Sequence, residues 1–67
     1  MQSNILKGKM VAAGYNQGTL AAKLNMSENT LSSKLRGRRP FNTDEIVRVC
    51  ELLSIEDNAE KAYIFLQ

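Results

Sequence analysis

The sequence predicts an all-α domain built from five helices. Apolar residues recur at helical spacing, as Leu20 and Leu24 or Leu31 and Leu35 do, and residues that start or stop helices separate these runs. No segment is predicted to be a strand. The 67 residues suffice for one domain with a thin core, so we expect a single domain over residues 1–67 with no room for a catalytic cleft.

The first helix is predicted over Asn4 to Ala13. Three of its apolar residues are expected to face the core, namely Leu6, Met10 and Ala13. Gly14 can adopt the left-handed conformation that ends many helices. Tyr15 is expected to pack at this hinge, with contact to a sugar-phosphate backbone as the alternative.

The second helix is predicted over Gln17 to Leu24, with Asn16 as its cap and with Leu20 and Ala21 facing inward. Asn25 is placed where the chain must reverse, and asparagine accepts a positive φ more readily than most residues with side chains. Met26 is expected to fill the corner before the next helix.

The third helix is predicted over Glu28 to Arg36, with Ser27 as its cap and Gly37 ending it. Leu31 and Leu35 continue the inward stripe. After a loop that contains Pro40, Asn42 and Glu45 form the pattern of a capping box and start a fourth helix that reaches about Leu53.

Cys50 lies in the apolar stripe of the fourth helix and is predicted to be a core residue, since a single cysteine cannot form an intramolecular disulfide. Its apolar neighbours in this stripe are Ile46, Val49 and Leu53. A short fifth helix is predicted to begin at Asp57 or Asn58. The residues expected to pack back from it are Ala59, Ala62 and Tyr63.

The outward side of the third helix carries short polar groups, and cations follow at its end. Such groups suit base edges and phosphates respectively. The predicted base-reading residues are Glu28, Asn29, Ser32 and Ser33. The predicted phosphate contacts are Asn16, Gln17, Thr30, Lys34, Arg36, Arg38 and Arg39. The alternative is a pair of helices that only builds a core, with the serines merely solvated.

The segment from Gln17 to Gly37 resembles the helix-turn-helix of the phage Cro and repressor family. Its common form has glutamine opening the second helix, Leu-Ala within it, and Ser-x-x-Thr-aliphatic-Ser opening the third. The matching residues are Gln17, Leu20-Ala21 and Ser27-Glu28-Asn29-Thr30-Leu31-Ser32. Two positions depart from that form, because Asn25 replaces the usual turn glycine and Lys34 stands where an apolar residue is more common.

The likeness extends from Leu6 to about Ile55, and the tail through Phe65 is similar to small phage-encoded Cro-like regulators of Gram-positive hosts. The resemblance implies a five-helix lambda-repressor-like fold with a central helix-turn-helix. It also implies a sequence-specific transcriptional regulator, a Cro-like repressor, that binds a palindromic operator in double-stranded DNA through the major groove.

Charge is distributed unevenly along the chain. Residues 1–39 hold seven cations against one acid, whereas residues 40–67 hold two cations against six acids. The first part therefore suits a polyanion such as DNA. For Lys7, Lys9 and Lys61 we favour simple solvation. Arg36, Arg38 and Arg39 repel one another unless an anion neutralises them, which favours phosphate contact.

The residue types exclude several classes of function. The sequence contains no histidine and one cysteine, so neither a metal centre nor acid-base catalysis by imidazole is expected. We predict no enzymatic activity, no cofactor and no small-molecule ligand. Neither a signal peptide nor a membrane span is expected, which predicts a location in the bacterial cytoplasm, with a prophage as one source of the gene.

One recognition helix reads only a few base pairs, so a homodimer on DNA is expected. The consecutive apolar residues of the tail suggest a dimer interface formed by Tyr63, Ile64 and Phe65. The alternative is that the tail folds back onto the core. A rival function is an antitoxin-type or partner-binding helix-turn-helix protein, whose acidic second half would bind another protein.

Overall fold

The computed structural model describes residues 1–66, which form five α-helices and no strand. The helices are α1 (Ser3–Ala12), α2 (Gln17–Lys23), α3 (Glu28–Leu35), α4 (Thr43–Leu52) and α5 (Asn58–Leu66). The predicted all-α class and helix number are confirmed, and the predicted bounds of α1 to α4 differ from these by one residue at most. No helix in this part of the chain combines the length and apolar character needed to cross a bilayer.

Side chains cap the starts of α2 and α3 as predicted. Asn16 Oδ1 accepts the backbone N–H of Thr19 at 2.8 Å, and Ser27 Oγ accepts that of Thr30 at 3.1 Å. These bonds satisfy amide groups that have no partner within the first turn of a helix. Each helix therefore begins at a position that a local hydrogen bond determines.

The predicted capping box at the start of α4 is also present. Asn42 Oδ1 accepts the N–H of Glu45 at 2.8 Å, and Glu45 Oε1 accepts the N–H of Asn42 at 3.0 Å. The two reciprocal bonds satisfy one free amide group each. They place Glu45 on the first turn of α4, beside the loop that leads from α3.

Left-handed residues follow the first four helices. Gly14 has φ +85°, Asn25 has +55°, Gly37 has +79° and Ser54 has +56°. The predicted left-handed roles of Gly14 and Asn25 are confirmed. Ser54 was not expected in this conformation, since serine rarely adopts a positive φ.

The core is one cluster to which all five helices contribute. Its buried residues are Leu6, Met10, Leu20, Ala21, Leu31, Leu35, Val49, Cys50, Leu53, Ile55 and Ile64. Tyr15 and Met26 pack against its edge, as predicted. Cys50 is in the core, and burial raises the pKa of its thiol, which is typical of an inert cysteine. Ala13 is exposed, so its predicted inward position is wrong: it forms the C-cap of α1, beyond the last helical residue.

Helix α5 packs against α1, with the end of one beside the start of the other. The backbone N–H of Gln2 donates to the carbonyl of Ile64 at 2.8 Å, and Lys9 Nζ lies 3.1 Å from Glu60 Oε2. Lys9 is thus paired rather than merely solvated. Because these contacts turn Ile64 inward, Tyr63 and Ala59 are exposed, and the prediction that they pack back is wrong.

Candidate nucleic-acid interface

The outward side of α3 carries polar side chains, as predicted. Glu28 and Asn29 are exposed on its first turn, and Ser32 and Ser33 are half-buried one turn later. Leu31 lies on the opposite side and is fully buried, which sets the rotation of the helix. The four predicted base-reading residues therefore share one side of one helix.

The chain that leaves α3 is held against the helix by backbone hydrogen bonds. With Gly37 left-handed, the N–H of Arg38 donates to the carbonyl of Ser33 at 2.9 Å, and that of Gly37 donates to the carbonyl of Lys34 at 3.1 Å. This is the Schellman pattern of a helix C-terminus. It holds the backbone of Arg38 against the last turn of α3, next to Ser33.

Three other helices end in the same hydrogen-bond pattern, but with different residue types. A Schellman ending usually brings two apolar residues into contact across its longer bond. In the other helices this bond joins residues of the core or its edge, namely Met10 and Tyr15, Ala21 and Met26, and Cys50 and Ile55. In α3 it joins Ser33 to Arg38. At the end of α3 these two positions are therefore polar, whereas they are apolar at the ends of α1, α2 and α4. The backbone hydrogen bond that closes the helix does not itself require a polar side chain at either position.

The side chains of Arg36, Arg38 and Arg39 are exposed. Within residues 1–66 none of the three belongs to an ion pair, whereas Lys9 and Lys34 are both neutralised by carboxylates. Arg39 is near enough to Glu45 to contribute to lowering the pKa of that carboxyl group. Three exposed cations therefore follow the end of α3, and two of them, Arg36 and Arg39, line a groove together with Phe41 and Phe65.

Lys34 does not belong to this exposed set, and its predicted phosphate contact is wrong. It is only 7% exposed, and its ammonium group donates to Glu45 Oε1 and lies 5.9 Å from the centre of the Phe41 ring. The hydrogen bond from Lys34, together with that from the Asn42 N–H, holds the pKa of Glu45 below its ordinary value. The signal in the sequence was the position of Lys34, three residues after Leu31 on the inward stripe.

Glu28 turns back toward the start of α2. A methyl group at Gly18 would lie 3.3 Å from Glu28 Oε1 and 3.4 Å from Asn16 Oδ1. The absence of a side chain at Gly18 thus leaves room for the Glu28 carboxylate, a role that the sequence did not suggest. To contact a base, this carboxylate would first have to move away from α2.

The remaining predicted phosphate contacts lie at the starts of α2 and α3. Asn16 is exposed, although its Oδ1 is used in capping, and Gln17 is half-buried. Thr30 Oγ1 accepts a hydrogen bond from Ser27 Oγ at 2.9 Å and keeps its own hydrogen available for donation. The structure brings these helix starts close together, since Asn16 and Glu28 both lie against Gly18.

The three tail residues that were predicted to form a dimer interface differ in their exposure. Ile64 is fully buried, and Phe65 is half-buried with its ring edge-to-face with Phe41 at 6.0 Å. The burial of Ile64 contradicts its assignment to a dimer interface and fits the fold-back alternative, whereas a dimer contact by Phe65 stays a prediction. Tyr63 is 51% exposed and Leu66, the last residue of the same apolar run, is 79% exposed.

Comparison with known proteins gives one family. The family model described as "Protein of unknown function (DUF739)" matches residues 2–67. No curated protein and no solved structure gives a match. Because the match extends over nearly the whole sequence, the chain belongs to the DUF739 family of proteins.

Proposed function

We propose that this protein is a sequence-specific regulator of transcription that binds double-stranded DNA, with α2 and α3 acting as a helix-turn-helix of the Cro and repressor type. One observation carries the proposal. The exposed polar side of α3 runs directly into three exposed arginines that have no ion pair within residues 1–66. Groups that would read bases and groups that would hold phosphates thus follow one another in the chain.

Helix α3 would enter the major groove. Its eight residues give a length of about 12 Å, similar to the groove width of about 12 Å. Asn29, exposed on the first turn, has the donor and acceptor needed to bind adenine N6 and N7 together. Ser32 and Ser33 would reach neighbouring base edges or the backbone. Glu28 would accept from cytosine N4 after leaving its place beside Gly18.

The phosphate contacts would come from two sides of α3. Arg36, Arg38 and Arg39 follow its end, and the backbone bond between Arg38 and Ser33 limits how far this cationic segment can move. Asn16, Gln17 and Thr30 would contribute polar contacts from the helix starts. Release of counterions by the arginines makes binding salt-dependent.

Two copies would bind a two-fold operator, because a single α3 reads only a few base pairs. Adjacent half-sites would be about 34 Å apart. Exposed Tyr63 and Leu66 are the apolar tail residues available for contact between copies. The proposed protein acts in the bacterial cytoplasm, without a cofactor, a small-molecule ligand or catalytic activity.

Footprinting on the DNA that flanks the gene tests this proposal. Protection of two half-sites related by two-fold symmetry would support it and would define the operator. Fluorescence anisotropy should then show tighter binding to that duplex than to a scrambled duplex of the same length. Failure to bind any duplex at low ionic strength would reject the proposal, because the electrostatic contribution is strongest there.

A further inference from the structure

A groove of about 580 Å³ lies between α4 and the chain that enters α5. Its apolar lining includes Ile46, Val47, Cys50 and Ile55. We propose that this groove is a docking site for a positively charged amphipathic segment of another protein. The inference concerns a second surface of the molecule, because no residue of α3 or of the arginine segment lines the groove.

The apolar part of the groove has buried side chains at its floor and an exposed side chain at its edge. Ile55 and Cys50 are 1% and 5% exposed, whereas Val47 is 51% exposed. A single exposed apolar side chain is ordinary on a protein surface. An exposed valine beside a concave apolar floor is different, since a partner side chain placed there would remove water from both at once.

The charges around the groove indicate the chemistry of the partner. Glu51 and Glu56 line it and are exposed, and Asp44 is exposed at the start of the same helix. None of these carboxylates is in an ion pair within residues 1–66. Lys61 is the one cation in the lining. The excess of carboxylates favours a partner with lysine or arginine beside its apolar residues.

The same charges disfavour a second copy of this chain as the occupant. Contact about a two-fold axis places the same surface of both copies face to face. Glu51 and Glu56 would then approach their own counterparts, and juxtaposed like charges oppose association. A partner whose charge is opposite to that of the rim avoids this repulsion.

A protein segment fits the lining better than a small molecule does. Sites for small molecules combine an apolar pocket with a few convergent polar groups that fix orientation. Within residues 1–66, no buried side-chain nitrogen or oxygen lacks a hydrogen-bond partner, so none awaits a polar ligand. An apolar floor between charged edges is typical of a surface that accepts one side of an amphipathic helix.

A short helical peptide of leucine and lysine is a suitable probe, with a leucine and glutamate peptide of the same pattern as its control. Each is titrated into the full ¹⁵N-labelled chain, and the amide shifts and Kd are measured. We expect the lysine peptide to shift the amides of Val47, Ser54 and Glu56, and the glutamate peptide to leave them unchanged. Equal binding of both peptides would contradict the charge argument.

Two substitutions locate the binding. Val47→Asp and Glu51→Lys should each weaken binding of the lysine peptide by about tenfold, the loss expected for a moderately important contact. Val11→Asp is the matched control, since Val11 is 69% exposed on α1 and lies outside the groove. It should leave the Kd unchanged. Thermal unfolding checks that each variant folds. If Val47→Asp does not fold, Glu51→Lys provides the test.

Three results would overturn the inference. The first is unchanged affinity in a folded Val47→Asp or Glu51→Lys variant, and the second is a set of shifts confined to α3. The third is self-association that sedimentation detects and that Val47→Asp abolishes, which would assign the groove to a second copy. DNA binding by the same variants is measured separately. A failure of peptide binding can therefore be distinguished from a failure of DNA binding.

Discussion

The ammonium group of Lys34 donates to the same Glu45 oxygen that accepts the backbone N–H of Asn42. One carboxylate thus joins the last turn of α3 to the first turn of α4. The segment between them carries the exposed arginines, and its other end is held by the bond from the Arg38 N–H to the Ser33 carbonyl. The ion pair therefore stabilises the base of the proposed phosphate-binding segment.

Replacing the two kinds of cation should separate these roles. Arg38→Ala is expected to weaken binding to all DNA sequences and to lower the slope of log K against log salt by about one, because one phosphate contact is lost. Lys34→Met should leave the slope unchanged, since Lys34 is buried and paired with Glu45. Salt titrations by fluorescence anisotropy measure both slopes. A reduced slope for Lys34→Met would show that Lys34 contacts a phosphate after all.

Glu45 should contribute to stability in a pH-dependent way. Its pKa in the folded protein lies below the ordinary value of 4.5, chiefly because Lys34 donates a hydrogen bond to it. The pair therefore stabilises the fold fully above that value and ceases to do so as the pH falls through the lowered pKa. Glu45→Gln is expected to lower the free energy of unfolding by about 1–3 kcal/mol near neutral pH.

Urea unfolding of wild type and Glu45→Gln at about pH 7 and about pH 3 measures this contribution. The difference between the two proteins should shrink at the lower pH, because Glu45 takes up a proton in the unfolded chain at a higher pH than in the folded protein. A difference of equal size at both pH values would show that the charge of Glu45 is not the source of its effect.

Asn29 is predicted to specify sequence. Asn29→Ala should cost about 1–3 kcal/mol of binding to the operator and relax the preference at one base pair, because a bidentate contact to adenine is lost. Asn4→Ala is the matched control, since Asn4 is an exposed asparagine on α1. Competition between operator and scrambled duplexes provides the measurement. Equal losses on both duplexes would show that Asn29 does not read a base.

Gly18 and Gly8 offer a matched test of how Glu28 is placed. Alanine in a helix interior is favoured over glycine by about 0.5–1 kcal/mol. Gly8→Ala should realise this gain, because a methyl group there meets nothing within 4 Å. Gly18→Ala should realise less of it, since the added methyl group crowds Glu28 Oε1.

Removal of the crowding group completes the test. In a Glu28→Ala background, the gain from Gly18→Ala should increase, although Asn16 Oδ1 would still lie 3.4 Å from the added methyl group. Thermal unfolding of the single and double variants gives the coupling between the two positions. The absence of any coupling would mean that Glu28 does not occupy the space beside Gly18 in solution.

The sequence by itself determined where the helices begin and end. Asn16, Ser27 and Asn42 each bond to an amide three residues ahead. Gly14 and Asn25 adopt the left-handed conformation that closes a helix over its last few residues. These interactions join near neighbours in the chain, so residue types at short spacing suffice to predict them. The polar side of α3 was predictable for the same reason, as it is the complement of the stripe through Leu31.

Only the tertiary structure decided which side chains are covered. Lys34 is buried because α4 brings Glu45 to it, and Ile64 is buried while Tyr63 is exposed because α5 packs along α1. The groove beside Val47 likewise depends on how the chain into α5 lies against α4. Burial depends on contacts between residues far apart in the chain, and helical periodicity alone does not say which neighbouring helix covers each side.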